Sequence, residues 1–301
     1  MKNKIIFDVV IVGGSYSGLA AAMALGRALR NVLIIDSEKP CNRQTPHSHN
    51  FLTQDGNTPR QISETAKLQV QKYETVSFYK GVATNASKKD FGFAVETDSG
   101  EIFNAKKIIF ATGLKDIFSE IEGFSECWGI SILHCPYCHG YEVKNQETGI
   151  IANGETGFEY ARLISNWTQK LTVFTNGKAS FTNEQAEKLS SKNIQIIEKE
   201  ILKVNHSEGK IKSLEFADNS KAEVKAIYAR PQFEQHCKIP IELGCEISEQ
   251  GLLKVDAFQK TTVKNSYACG DNCAMRSLAF AVSTGTMAGV ATNKELIEEE
   301  F

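Results

Sequence analysis

Along this chain the apolar residues fall in short unbroken blocks more often than in alternation. Asp8-Val9-Val10-Ile11-Val12 is one such block, Asn31-Val32-Leu33-Ile34-Ile35 a second, Ile108-Ile109-Phe110 a third and Ser266-Tyr267-Ala268 a fourth. Short apolar runs bounded by turn residues read as strands buried on both faces of a parallel sheet. Between the first two blocks lies Leu19 to Leu25, a run of mostly small residues that predicts a closely packed helix. Residues 81–104 have a different texture and predict a small antiparallel meander turning at Asp98-Ser99-Gly100. Near residue 148 the first pattern begins again. Gly149-Ile150-Ile151 leads into a turn ending at Gly157, followed by a predicted helix from Phe158 to Trp167 and a strand from Lys170 to Phe174. The run Glu295 to Glu300 is acidic and reads as a frayed helix end.

What joins the first strand to its helix is Gly13-Gly14-Ser15-Tyr16-Ser17-Gly18. A strand, a glycine turn and a helix form the context in which a dinucleotide's pyrophosphate sits on exposed helix-start N–H groups. Gly13 permits the tight turn and Gly18 lets the helix approach the strand, while Ser15 stands where a middle glycine is usual. Asp36 ends the second strand eighteen residues after Gly18, and a carboxylate there accepts hydrogen bonds from ribose hydroxyls. The duplicated pattern predicts an α/β fold of two tandem three-layer, Rossmann-like nucleotide-binding domains, the second inserted into the first. Residues 1–115 with 232–301 form one, 116–231 the other, and the chain crosses at Lys115-Asp116 and Ala229-Arg230-Pro231. The second turn is eroded. Ala152 replaces its first glycine, where a Cβ is expected to be unwelcome, and Thr175 occupies the position matching Asp36. Thr175-Asn176-Gly177 offers neither an acid for an NADH ribose nor an arginine pair for an NADPH phosphate, and Lys178 is the lone cation nearby.

With 42% apolar and 23% charged residues in 301, the chain reads as an ordinary globular protein long enough for two cores. A net charge of −2 without a basic run argues against nucleic acid or an anionic membrane as partner. No segment reaches the length of a membrane span. The apolar run after Met1-Lys2-Asn3-Lys4 passes straight into the glycine turn, so it reads as a strand rather than an export signal. Eight cysteines without such a signal fit a reducing cytoplasm, with Cys41, Cys127, Cys237 and Cys245 as free thiols.

Two of the eight carry the chemistry. Cys135-Pro136-Tyr137-Cys138-His139-Gly140 spaces two thiols so that they can close a disulfide, and such a pair lowers one thiol's pKa. Proline just inside a helix start is tolerated, which sets the pair at a helix N-terminus, where the dipole favours S⁻. Zinc would need a second pair, and Cys269/Cys273 is the only other close one; an inert pair is the third reading. His139 has the pKa range for proton transfer beside the thiols, or it merely bonds a loop carbonyl; His134 is either a second proton carrier or a packed neighbour. His47 and His49 supply only two ligands and make no metal site, and Trp128 and Trp167 read as packing residues.

From the first glycine turn through Ala111-Thr112-Gly113, the Cys-x-x-Cys, the second turn and Gly270-Asp271, the order of motifs resembles the low-molecular-weight thioredoxin reductases across essentially the whole chain. That resemblance implies FAD, with Gly13, Gly14, Ser15, Ser17, Gly18, Asp36, Asn42, Val82, Ala111, Thr112, Gly113, Gly270, Asp271, Ser277 and Leu278 in the cofactor-binding set. Arg276-Ser277-Leu278 stands where those reductases carry Arg-Gln-Ala. By the same resemblance Cys138 lies against the flavin, Cys135 exchanges with substrate and the protein is a homodimer. His139 replaces the family's usual aspartate. Together with Pro40-Cys41-Asn42 and His47-Ser48-His49 it makes the chain similar to the dithiol oxidases that close disulfides in gliotoxin-, holomycin- and romidepsin-type products. Cys41 departs from that branch's arginine. The expected partner is a thiol or disulfide, small molecule or small redox protein. Electrons run from dithiols to O₂, or in the competing readings from NADPH or ferredoxin to a disulfide, or nowhere in a non-catalytic flavin protein.

Overall fold

The computed structural model describes residues 6–301. The chain runs β1 (Ile6–Val12), α1 (Tyr16–Arg27), β2 (Val32–Asp36), α2 (Pro59–Val70), β3 (Val76–Lys80), β4 (Ala83–Lys89), β5 (Gly92–Thr97), β6 (Ile102–Phe110) and β7 (Leu114–Ile117). It continues through α3 (Phe124–Cys127), β8 (Ile132–Leu133), α4 (Pro136–His139), β9 (Thr148–Ile151), α5 (Gly154–Ile164), β10 (Leu171–Phe174), α6 (Asn183–Ser191), β11 (Gln195–Ile197), β12 (Ile201–Ser207), β13 (Lys210–Phe216), β14 (Lys221–Glu223) and β15 (Ala226–Ala229). It closes with β16 (Gln232–Gln235), α7 (Ile239–Glu242), β17 (Ser266–Ala268) and α8 (Leu278–Glu300).

The unbroken apolar blocks become the parallel strands. One sheet has the order β3-β2-β1-β6-β5-β4, with β17 also paired to β6. Its core strands are buried on both faces, Val9 and Ile11 packing on α1 and α8, Val10 and Val12 on the opposite side. A second parallel sheet, β11-β10-β9-β15-β8, is drawn wholly from residues 132–229. Both crossings between the sheets run through one antiparallel ribbon in which β7 pairs β16, Asp116 opposite Phe233.

The small residues of α1 are explained by α8. A Cβ on Gly285 would overlap the Ser17 carbonyl, and one on Gly289 would lie 2.6 Å from the Ala21 carbonyl, so the two helices touch backbone to backbone. Elsewhere a capping box formed by Thr58 and Gln61, with Pro59 in the first turn, starts α2.

Several sequence expectations are corrected. The meander and the Ile108 block are not separate: β6 is one nine-residue strand, antiparallel to β5 at Ala105 and parallel to β1 at Lys107. The second helix begins at Gly154 rather than Phe158, because the Asn153 side chain accepts from the Gly154 N–H and caps it there, and it ends at Ile164. The acidic terminus is not frayed. Lys107 is fully buried, and its ammonium needs counter-charges that Glu295 supplies at 3.2 Å and Glu299 at 2.5 Å, while Glu300 pairs with Arg30 and Lys106. Tyr267 donates its hydroxyl to Glu295 in the same cluster. Among the described residues no helix is long and apolar enough to cross a membrane.

Candidate active site

Glycine-lined turns lie side by side at the ends of β1, β6 and β17, and the short helix α4 carries the cysteine pair. In the first turn Gly13 has φ +103°, and a Cβ there would overlap the Ala111 carbonyl, while a Cβ on Gly18 would overlap the Gly13 carbonyl. Ser15 is the N-cap of α1 yet its side chain makes no cap hydrogen bond, which leaves the helix-start N–H groups open. Asp36 ends β2, and its carboxylate accepts from the Gly14 N–H (2.6 Å) and the Glu38 N–H (2.6 Å), tying the strand end to the turn. Val82 follows β3 with its N–H donated to Asp98 at 3.1 Å.

On the far side of Gly13 stand Ala111, Thr112 and Gly113, the last at φ +64°. Gly270, at φ +84°, leaves no room for a Cβ, which would lie 2.6 Å from the Ser17 hydroxyl. Asn272 escaped sequence reasoning although it directly follows the Gly-Asp pair. It is fully buried, and its amide donates to the Phe110 carbonyl (3.0 Å) and the Thr112 hydroxyl (3.3 Å), joining the two turns. Ser277 is the uncapped N-cap of α8, and Leu278 packs with Tyr16, Ile62 and Ala281. Asn42 reaches this cluster through its amide, 3.4 Å from the Tyr16 hydroxyl.

Three features of these turns fit a bound dinucleotide. The glycine cradle excludes side chains. The buried side-chain oxygens of Asn42 and Asn272 have no hydrogen-bond partner, a cost of about 1–3 kcal/mol each unless a ligand or water meets them. Burial, only partly offset by Arg276, pushes the Asp271 carboxyl up to about 6, as for a group awaiting a polar partner.

Cys135 is the N-cap of α4, with Pro136 in the first turn as the sequence predicts. The helix is a single turn, so the local N–H groups rather than a long dipole stabilise a thiolate. The Cys138 thiol donates to Cys135, and with the backbone N–H groups of Cys138 and Tyr137 it brings Cys135 down to about 7 against opposing burial. Cys138, as that donor, is pushed up, and burial, then the Cys135 and Asp271 charges, add to the effect. No disulfide joins any of the eight cysteines. Among the described residues no group of His, Cys, Asp or Glu has the arrangement of a metal site.

Trp167 is a packing residue of a specific kind: a Cβ on Gly140 would lie 2.8 Å from its ring, and Tyr137 meets it edge-on with centroids 5.4 Å apart. His139 is half-buried, and its pKa is lowered by burial first and then by the His49 charge. Burial, then Arg276, brings His134 down to about 4, so it stands neutral at neutral pH; its carbonyl accepts from the Tyr160 hydroxyl. Cys41 is exposed, yet the chain crowding its sulfur, followed by the Asp271 carboxylate, pushes its thiol up to about 11. It is therefore no ready nucleophile at neutral pH.

Arg276 grips Asp116 of β7 with two bonds, 2.7 and 3.0 Å, and lies 4.0 Å from Asp271. Nothing local in the sequence signals this pair. Tyr228, on β15, is equally without a local signal. It is 1% exposed with its hydroxyl unpartnered, and burial followed by the Cys135 charge raises its pKa. Tyr228→Phe removes that orphan group, so the melting temperature of the purified protein is expected to hold or rise, by up to about 1–2 kcal/mol of stability. A clear fall in the melting temperature would show that the hydroxyl has a partner.

The second turn differs from the first in shape. Ala152 does not have a positive φ; the left-handed residue is Gly154, at +52°, so the Ala152 Cβ is accommodated, contrary to the sequence expectation. Asn153 Oδ1 accepts from the N–H groups of Gly154 and Ser180, each at 2.8 Å, and from the Ser180 hydroxyl at 3.1 Å. Its amide donates to the Lys178 carbonyl at 2.8 Å. Thr175 is buried and its hydroxyl is 2.6 Å from the Gly177 carbonyl. At the N-terminus of α5 the Gly154 N–H is thus already taken by the chain's own Asn153 side chain.

Comparison with known proteins agrees with this architecture. The chain is 30% identical over 307 residues to the thioredoxin reductase sirT of Leptosphaeria maculans, covering 96% of this chain and 94% of the relative. A solved oxidoreductase from Agrobacterium tumefaciens superposes with a TM-score of 0.91 at 34% identity, covering 97% of this chain and 99% of that one. The crystal structure of HlmI gives 0.93 at 28% identity, with 99% and 96% covered. The pattern of the pyridine nucleotide-disulphide oxidoreductases matches residues 7–288, so the chain belongs to that family of thioredoxin-reductase-like enzymes.

Proposed function

We propose that the protein is an FAD-dependent thiol–disulfide oxidoreductase that oxidises dithiols and delivers the electrons to O₂. In this reading residues 1–115 and 232–301 form the FAD domain, and 116–231 carry the dithiol. The glycine cradle of Gly13, Gly14 and Gly18, the open N-terminus of α1, and Asp36, Asn42 and Asp271 hold the cofactor, with Ser277 and Leu278 presenting the start of α8. When bound, FAD supplies two-electron chemistry, taking electrons from the Cys135–Cys138 couple and yielding them to O₂ as peroxide.

The residues of the chain manage the sulfur exchange. A substrate dithiol reduces the Cys135–Cys138 disulfide: two substrate S–H bonds and the enzyme S–S bond break, a substrate S–S bond forms, and both protons end on enzyme sulfurs. Cys135, whose thiolate is stabilised near neutral pH, is the sulfur that exchanges with substrate. His139, held in its neutral form by burial, accepts the proton of the attacking thiol and returns it to the leaving sulfur. His134, likewise neutral, is the second candidate for carrying a proton.

The observation that supports this direction of flow is the Asn153 cap on the N-terminus of α5. A pyridine nucleotide would have to displace the Asn153 side chain, which Ser180 holds in place, from the Gly154 N–H, and at Thr175 it would meet a buried, satisfied hydroxyl. Anaerobic mixing tests this. Dithiothreitol is expected to bleach the flavin absorbance, with peroxide appearing when air is admitted, while NADPH leaves the spectrum unchanged. Rapid bleaching by NADPH would overturn the oxidase in favour of a reductase. Protein that is colourless and cannot be reconstituted with FAD would overturn both.

A further inference from the structure

The loop between β2 and α2 places a histidine against the cysteine helix. His49 lies between two carboxylates, its Nδ1 3.6 Å from Asp55 and its Nε2 3.5 Å from Glu142, and its ring stands perpendicular to that of His139 with centroids 6.5 Å apart. Asp55 belongs to the same loop as His49, whereas Glu142 follows α4, so the imidazole bridges the two chain segments that meet at the dithiol. His49 is mostly buried, whereas Asp55 is largely exposed and Glu142 partly so. His47, the other imidazole of the loop, is 6.4 Å from His49 and committed to the Gly56 carbonyl at 2.9 Å. A histidine with both ring nitrogens turned to carboxylates is not free to act on a thiol itself. It can act through the ring it faces.

We propose that His49 is a positioning residue: pinned between Asp55 and Glu142, it orients and electrostatically tunes His139 as the base that takes the thiol proton. The proposal rests on the dithiol reading above and deepens it. In the step concerned a substrate S–H bond breaks, an N–H bond forms on His139, and the thiolate attacks the enzyme disulfide. The proton then returns to the sulfur that leaves, so none is gained or lost. Charges on either side of His139 oppose each other: the His49 charge favours its neutral form, Glu142 its protonated form. The two partners therefore have effects of opposite sign, which a purely structural role would not produce.

The test uses the flavin-loaded protein with labelled histidine, the His139 signal being assigned by its loss in His139→Gln. In His49→Gln the His139 titration midpoint is expected to rise, and in Glu142→Gln to fall. Anaerobic bleaching by dithiothreitol slows about tenfold in His49→Gln, its pH profile moves in the same sense as the midpoint, and FAD content is unchanged. Imidazole added to His49→Ala restores part of the rate. A His139 midpoint that stays put in both variants, or moves the same way in both, overturns the proposal. If dithiols fail to bleach the unmodified protein, the oxidase reading falls. The opposite shifts of the midpoint would still establish the coupling of His49 and Glu142 to His139, so the two failures are distinguishable.

Discussion

Cys135→Ser is expected to lower dithiol turnover by at least about a thousandfold while the protein keeps its flavin and its colour. Removing a nucleophile eliminates the covalent step outright, but Cys135 belongs to none of the glycine-lined turns. Its titration gives a second measurement. Iodoacetamide labelling of the reduced protein should follow a midpoint near 7 at Cys135: below it the thiol is protonated and slow, above it the thiolate reacts. Cys138 is raised by the same hydrogen bond and stays unlabelled through neutral pH. Because the Cys138 thiol is the first cause of the lowered value, Cys138→Ala should move the Cys135 midpoint up toward the ordinary thiol value of about 8.5. A midpoint unmoved by that substitution would show that the backbone N–H groups alone stabilise the thiolate.

The largest effect on stability is expected at the first glycine turn. Gly13→Ala puts a β-carbon into the Ala111 carbonyl and forces an L side chain to φ +103°. Overpacking and backbone strain each typically cost about 1–3 kcal/mol, so a loss of roughly 4 kcal/mol follows, or on the order of 10 °C in Tm. Gly100→Ala is the internal comparison. Its φ of +82° is similarly left-handed, but nothing lies within 4 Å of the added atom, so only the backbone term of about 1 kcal/mol applies. Thermal unfolding of the two variants side by side separates crowding from strain. Equal losses would mean that the turn at Gly13 yields without resistance. Flavin retention is a further readout, since relieving that clash shifts the turn whose N–H groups are proposed to meet the pyrophosphate.

The parts legible in the sequence are those governed by neighbours along the chain. The β1–turn–α1 unit was readable because a buried strand, a tight turn and a packed helix each impose a local pattern, and Gly13 to Gly18 satisfy all three. Cys135 as N-cap with Pro136 behind it was equally local. Misreadings came where a distant partner decides. The acidic stretch 295–300 reads as a frayed helix end, but Lys107, buried on β6, holds Glu295 and Glu299. Ala152 looked strained because its turn was assumed to copy the first, whereas Asn153 and Ser180 reshape it.

By itself the sequence determined the strand and helix order, the duplicated nucleotide fold, the dithiol and its family. These follow from hydrophobic periodicity, from the conformational demands of glycine and proline, and from sulfur spacing, all of which act over a few residues. Tertiary structure alone decided that Arg276 grips Asp116 across 160 positions and that Asn272 ties its turn to Phe110 across 162. It likewise decided that His49 faces His139 and that Asn153, held by Ser180, caps the second nucleotide turn. Such pairings depend on which strand ends a parallel sheet brings together, and that proximity is created by the packing of whole elements rather than by any residue's neighbours.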